Sequence, residues 1–126
     1  MKISEDHFLA LVFKMAGALA LLGWNPKIHK FKILRANEDF HKLFNKMLTD
    51  NAEQLFSIDV MHKDDHPKVL DFLKRGLSSN ELLISEYRIM KAPEKFIRVS
   101  AKLQYLGEEN GIYHLLMAFT DISSLE

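Results

Sequence analysis

Hydrophobic residues along this chain follow two spacings. Near the start they recur at helical intervals: Phe8, Leu11, Val12 and Met15 share one stripe, and Leu9, Phe13 and Ala16 lie beside it. Ser4, followed by Glu5 and Asp6, is a helix start, with a hydroxyl cap and then acids at the positive end of the helix dipole. Gly17 is the expected stop. The apolar run 18–24 predicts a buried strand, Asn25-Pro26-Lys27 a turn, and residues 28–35 alternate enough to predict its hairpin partner.

Short helices are predicted next. Asn37 caps one with Glu38 and Asp39 in its first turn and Phe40, Leu43 and Phe44 inward. Asp50-Asn51-Ala52-Glu53 has capping-box spacing for another. Asp64, Asp65 and Pro67 announce a longer one running to Leu77.

From residue 81 the period becomes two. Tyr87 and Ile89 oppose Glu86 and Arg88 along one strand, and Ala92-Pro93-Glu94 interrupts the chain. Residues 96–105 then alternate, with Ile97, Val99, Ala101, Leu103 and Tyr105 against Arg98, Ser100, Lys102 and Gln104. After a polar turn at 107–111, residues 112–120 are apolar on both faces, the mark of a central strand covered from both sides. An antiparallel sheet with helices on one face would leave Ile112, Leu116 and Ala118 bare on the other. The first helix is the expected cover, within its own chain or across a dimer.

Composition narrows the function. At 126 residues the chain is one domain long, and 17 Lys+Arg against 17 Asp+Glu gives no net charge. That balance argues against a nucleic-acid surface and against a polybasic membrane binder. The apolar start carries Lys14, follows two acids and is too short to span a bilayer, so no membrane insertion is expected. Cysteine is absent, which removes disulfides, thiolate metal sites and a cysteine-linked flavin, and fits a cytoplasmic location.

Five motifs in register resemble the PAS sensory domains over residues 17–126. Asn37-Glu38-Asp39-Phe40-His41-Lys42-Leu43-Phe44 stands for the family's Asn-x-x-Phe-x-x-Leu helix, after an early hairpin. Met61-His62-Lys63-Asp64-Asp65 is similar to its His-Pro-Asp-Asp, Glu86-Tyr87-Arg88-Ile89 to its Glu-Tyr-Arg-Ile strand, and Thr120-Asp121-Ile122-Ser123 to its Asp-Ile-Thr ending. Two departures stand out: Asn45 where a glycine is common, and Ala92-Pro93-Glu94-Lys95 in place of an Asp-Gly turn, with Phe96 where tryptophan is frequent.

The resemblance implies an α+β fold: a five-stranded antiparallel sheet of order 2-1-5-4-3, short helices on one face, and the N-terminal helix on the other. One domain covers 1–126: a helix over 1–17, a core over 18–122, and a linker start or cut end at 123–126. It also implies a bacterial sensory module ahead of an output domain, a histidine kinase or a cyclic-di-nucleotide synthase (diguanylate cyclase) or phosphodiesterase. Asp121 and Ile122 are the expected signal relay.

Inward positions define the expected ligand pocket: Phe44, Phe56, Ile58, Val69, Phe72 and Leu73 from the helical half, with Tyr87, Val99, Leu103, Leu115, Met117 and Phe119 from the sheet. The list is almost wholly apolar, so a filled core without ligand stands beside a small-molecule site. A constitutive homodimerisation module is therefore the alternative, with Phe8, Leu9, Val12 and Phe13 as its interface.

No catalytic constellation is legible, and no enzyme is expected. His62 and His66 have ligand spacing, but the helix starts between them, so a capping role for Asp64 or Asp65 is favoured over a metal site. The cofactor is left unassigned. Haem is disfavoured because residues 69–77 hold no histidine. Glu86 and Arg88 are expected in a solvated charge ladder with Arg98 or Lys102, and Trp24 in the core.

Overall fold

A computed structural model describes residues 17–44 and 55–123. The expected first helix with its interface residues Phe8, Leu9, Val12 and Phe13, the capping box at 50–53, and residues 124–126 lie outside the described residues.

Among the described residues six strands form one antiparallel sheet: β1 (Ala18–Asn25), β2 (Lys30–Ala36), β3 (Leu55–Ser57), β4 (Leu83–Ala92), β5 (Lys95–Glu109) and β6 (Ile112–Asp121), in spatial order β3-β2-β1-β6-β5-β4. The five long strands keep the expected order. The sixth, β3, is a three-residue edge strand beside β2 that the sequence pattern did not predict, because three residues are too few to display a period.

Alternation along the strands comes out as read. Val99, Ala101 and Leu103 of β5 and Leu115, Met117 and Phe119 of β6 are buried in one apolar cluster. Helix α1 (Glu38–Leu43) and helix α2 (His66–Leu77) pack against this face through Phe40, Val69, Phe72 and Leu73. Gly76 of α2 allows the closest approach, since a Cβ there would collide with Leu103 Cδ2. On the opposite face Leu21, Ile112, Leu116 and Ala118 are half-buried, and Leu34, Ile84 and Leu106 are exposed.

Three boundaries differ from expectation for local reasons. Strand β2 begins at Lys30 because the turn takes in Ile28 and His29, with His29 at φ 52° and Asn25 Oδ1 accepting from the Lys27 N–H. The β4–β5 turn is the pair Pro93-Glu94, with Glu94 at φ 61°. Strand β5 runs through the expected polar turn, which contracts to Asn110-Gly111 with φ of 53° and 81°, a tight hairpin pair suited to the sheet twist.

Asn37 fastens the start of β1 to α1. Its Oδ1 accepts from the N–H of Phe40 (2.9 Å) and Leu19 (3.1 Å), and its Nδ2 donates to the Gly17 carbonyl (2.6 Å). At the other end of α1, Lys91 Nζ donates to the carbonyls of Lys42 and Leu43. Both orphan ends of a six-residue helix are thereby satisfied by side chains.

Candidate functional site

All twelve residues of the expected pocket are brought together, none more than 5% exposed. They pack closely. Phe44 lies 4.5 Å from Phe40 and 5.0 Å from Phe119 between ring centroids, and Phe31 lies 5.0 Å from Phe56. Trp24 joins this core against Phe31 at 4.4 Å. Among the pocket residues Tyr87 is enclosed, and burial pushes its hydroxyl well above the ordinary phenol range. Tyr105 is half-buried, 6.2 Å from Tyr113.

The charged features gather on the β4 edge. Residues 61–65 run beside it: Met61 bridges to Ile89, and the His62 N–H donates to the Arg88 carbonyl. This covers part of an otherwise unpaired strand edge. Ring nitrogen Nδ1 of His62 accepts from the Asp64 N–H at 3.1 Å, which caps the turn at Lys63–Asp65. The His62 ring also packs against Phe96 at 4.6 Å.

Asp65 is where the capping expectation needs correction. It stands at the N-cap position of α2, yet its carboxylate makes no cap hydrogen bond. Instead it accepts from Arg88 Nε, Arg88 Nη2 and the Arg88 N–H, each at 2.9 Å. Asp65 is 6% exposed, and the guanidinium outweighs the burial, holding its carboxyl down to about 2. The same contact raises the Arg88 pKa further. Asp64 is likewise not a cap: its N–H donates to His62.

Arg88 thus leaves the expected charge ladder. Glu86 keeps to it, reaching Arg98 at 4.0 Å. Lys68, from the first turns of α2, donates to the Glu86 carbonyl at 2.9 Å. Asp65, Lys68, Arg88, Phe96, Arg98 and Ser123, with Tyr87 at its base, wall a cleft of about 480 Å³. Lys68 carries no motif that would have marked it, Ser123 was read only as the last residue of the Asp-Ile-Thr-like ending, and Arg98 only as a ladder residue.

The expected relay residues lie beside the same cleft. Asp121 pairs with Val99 at the end of β6, the Ile122 N–H donates to the Arg98 carbonyl, and Ser123 Oγ accepts from the Arg98 N–H at 2.9 Å. Asp121 Oδ1 accepts from the Ser123 N–H at 3.0 Å. His62 and His66 do not converge on a common point, since His66 Nε2 is turned to the Met61 carbonyl. Among the described residues no cluster of three His, Cys, Asp or Glu has metal-binding geometry, and no helix is long and apolar enough to cross a membrane.

This sheet, with its strand order and its helices on one face, is the PAS fold. A PAS domain from Colwellia psychrerythraea superposes with a TM-score of 0.65 at 12% identity, covering 96% of this chain and 99% of that one. A sensory box histidine kinase/response regulator from Burkholderia thailandensis gives 0.56 at 20% identity, covering 97% and 87%. The LOV protein of Rhodobacter sphaeroides gives 0.62 at 16% identity, covering 95% and 69%. No protein-family model and no curated protein sequence matches the chain.

Proposed function

We propose that the chain is a cytoplasmic, non-catalytic sensory module of a bacterial signalling protein that relays a change in helix–sheet packing through β6 to a linked output domain. One observation carries this reading. Leu115, Met117 and Phe119 of β6 pack in the same cluster as Phe72 and Leu73 of α2, and the strand runs without a break to Asp121. A shift of α2 or α1 bears on the strand that leads to the chain's exit. The histidine kinase among the similar structures favours a kinase output over a cyclic-di-nucleotide enzyme. A ligand or partner moves such a module only by its differential affinity for two packings.

Native and denaturing mass spectrometry on one sample, with an absorption spectrum, tests the sensing role. A small molecule present only in the native spectrum supports it and gives the chemical class. An empty chain overturns the ligand-bound form of the reading.

Close aromatic packing of the twelve expected pocket residues favours a second reading, a constitutive homodimerisation module with a filled core. Charge substitutions Leu9→Glu and Phe13→Glu test it by sedimentation. A dimer lost with the fold intact supports an assembly role, and a monomer throughout refutes it.

A further inference from the structure

His62 and His66 stand four positions apart and line one cleft of about 470 Å³, yet their rings are bound in opposite senses. The His66 ring meets the Met61 carbonyl through Nε2 at 3.1 Å. A carbonyl can only accept, so that nitrogen carries a hydrogen, and the bond survives protonation of the ring. The His62 ring meets the Asp64 N–H through Nδ1, also at 3.1 Å. A backbone N–H can only donate, so Nδ1 keeps its lone pair, and this bond exists only while the ring is neutral. His62 is the N-cap of the turn Lys63–Asp65, so the cap itself is open to removal by acid.

We propose that His62 is a proton-operated switch of the turn that leads into α2. A second partner is already beside the ring: Asp64 Oδ2 lies 3.8 Å from Nδ1, outside hydrogen-bond reach in this arrangement. Protonation places a hydrogen on Nδ1, where it faces the Asp64 N–H as one donor against another, and a small rotation turns it to the carboxylate. The ring then exchanges a backbone cap for an ion pair with the same residue. Phe96, 4.6 Å away between ring centroids, gives the cation an aromatic neighbour. Around the ring, Asp59 and Glu94 bring negative charge to the cleft, and Lys63 and a protonated His66 bring positive charge. Arg88, whose carbonyl accepts from the His62 N–H, is held by Asp65. The capped turn delivers Asp65 to Arg88 and runs directly into α2, so losing the cap loosens the joint between that helix and β4. The backbone bonds from His62 N–H to Arg88 and from Asp65 N–H to His62 do not involve the ring and keep the turn attached. The switch belongs to the turn and holds whether or not the chain relays a signal.

The test is NMR of the chain between about pH 8 and 5, where histidine titrates and carboxylates ordinarily stay ionised. Imidazole nitrogen shifts report the tautomer and protonation of each ring, and hydrogen exchange, corrected for its intrinsic pH dependence, reports the Asp64 amide. The expected result is a neutral His62 ring with its hydrogen on Nε2, and an Asp64 protection factor that falls about fivefold or more as that ring titrates. In His62→Asn, whose side-chain oxygen caps at any pH in this range, the step should vanish, and in His66→Gln it should remain. A neutral His62 ring protonated at Nδ1, Asp64 protection that stays constant through the titration of the ring, or a step that persists in His62→Asn overturns the proposal. The first two readings come from the unaltered chain, so they decide the matter even where a variant fails to fold.

Discussion

Asp65 and Arg88, 23 positions apart, are joined by three hydrogen bonds of 2.9 Å, two from the guanidinium and one from the Arg88 backbone. This pair ties the turn before α2 to the edge of β4, so the helix cannot shift along the sheet without disturbing it. The two partners are unequal. Asp65 is nearly enclosed, whereas the Arg88 side chain is 41% exposed and can turn to water. Removal of the arginine therefore strands a buried carboxylate, and removal of the aspartate leaves a cation free to hydrate. Arg88→Ala is expected to lower the melting temperature more than Asp65→Ala, by thermal unfolding of both variants. Equal losses would place the value of the pair in geometry alone.

The same pair sets an acid limb of stability. The folded-state pKa of Asp65, about 2, lies below its ordinary 3.8, so its contribution is whole above pH 4 and is lost as pH falls toward 2. After allowance for solvent screening this is about 1–2 kcal/mol. Denaturant titrations between pH 2 and 6 should show that slope, and Asp65→Asn should flatten it.

Asn37 serves two elements at once, and two substitutions separate its roles. Asn37→Ala removes the acceptor for Phe40 and Leu19 and the donor to Gly17, at an expected cost of about 1–2 kcal/mol. Asn37→Asp keeps the acceptor and loses only the donor. Hydrogen exchange at Phe40 should speed up in the alanine variant and stay protected in the aspartate one.

Gly76 lies against Leu103 where a methyl group has no room. Gly76→Ala gains about 1 kcal/mol of helix propensity but forces overpacking of about 1–3 kcal/mol, so net destabilisation is expected. Leu103→Ala alone should cost about 2–5 kcal/mol, and the double variant less than the sum, because each change relieves the other. Additive losses in chemical denaturation would remove the contact as the cause.

Phe44 tests whether the interior is filled. It is wholly buried between Phe40, Phe56 and Phe119. In a filled core Phe44→Ala costs about 3–5 kcal/mol. The vacated space should then take up xenon or benzene, visible as local shifts in the NMR spectrum. A loss below about 1 kcal/mol would show that the side chain borders a space already open.

Much of this molecule is legible one residue at a time. Alternation placed Val99, Ala101 and Leu103 inward, and likewise Leu115, Met117 and Phe119, because burial of one sheet face imposes a period of two on any strand that supplies it. Asn37 announced its helix, since a cap is settled within three residues of itself. Asn110-Gly111 carried a hairpin signal in plain view, obscured by the broader polar stretch around it.

Register and partnership were decided elsewhere. With its Pro93-Glu94 turn, the β4–β5 hairpin pairs Ala92 with Lys95, which continued unbroken would set Arg88 against Val99. An irregularity between Met90 and Ala92 shifts the ladder by one and sets Arg88 against Arg98. Nothing in the local sequence locates that shift, because register is set by how the whole strand packs on its neighbours. The same is true of Asp65, which has a capping residue's chemistry and a cap's position. Its neighbours in the chain made it a helix cap; only folding brought Arg88 close enough for a charged, three-fold hydrogen-bonded contact to displace one weaker bond to a backbone N–H.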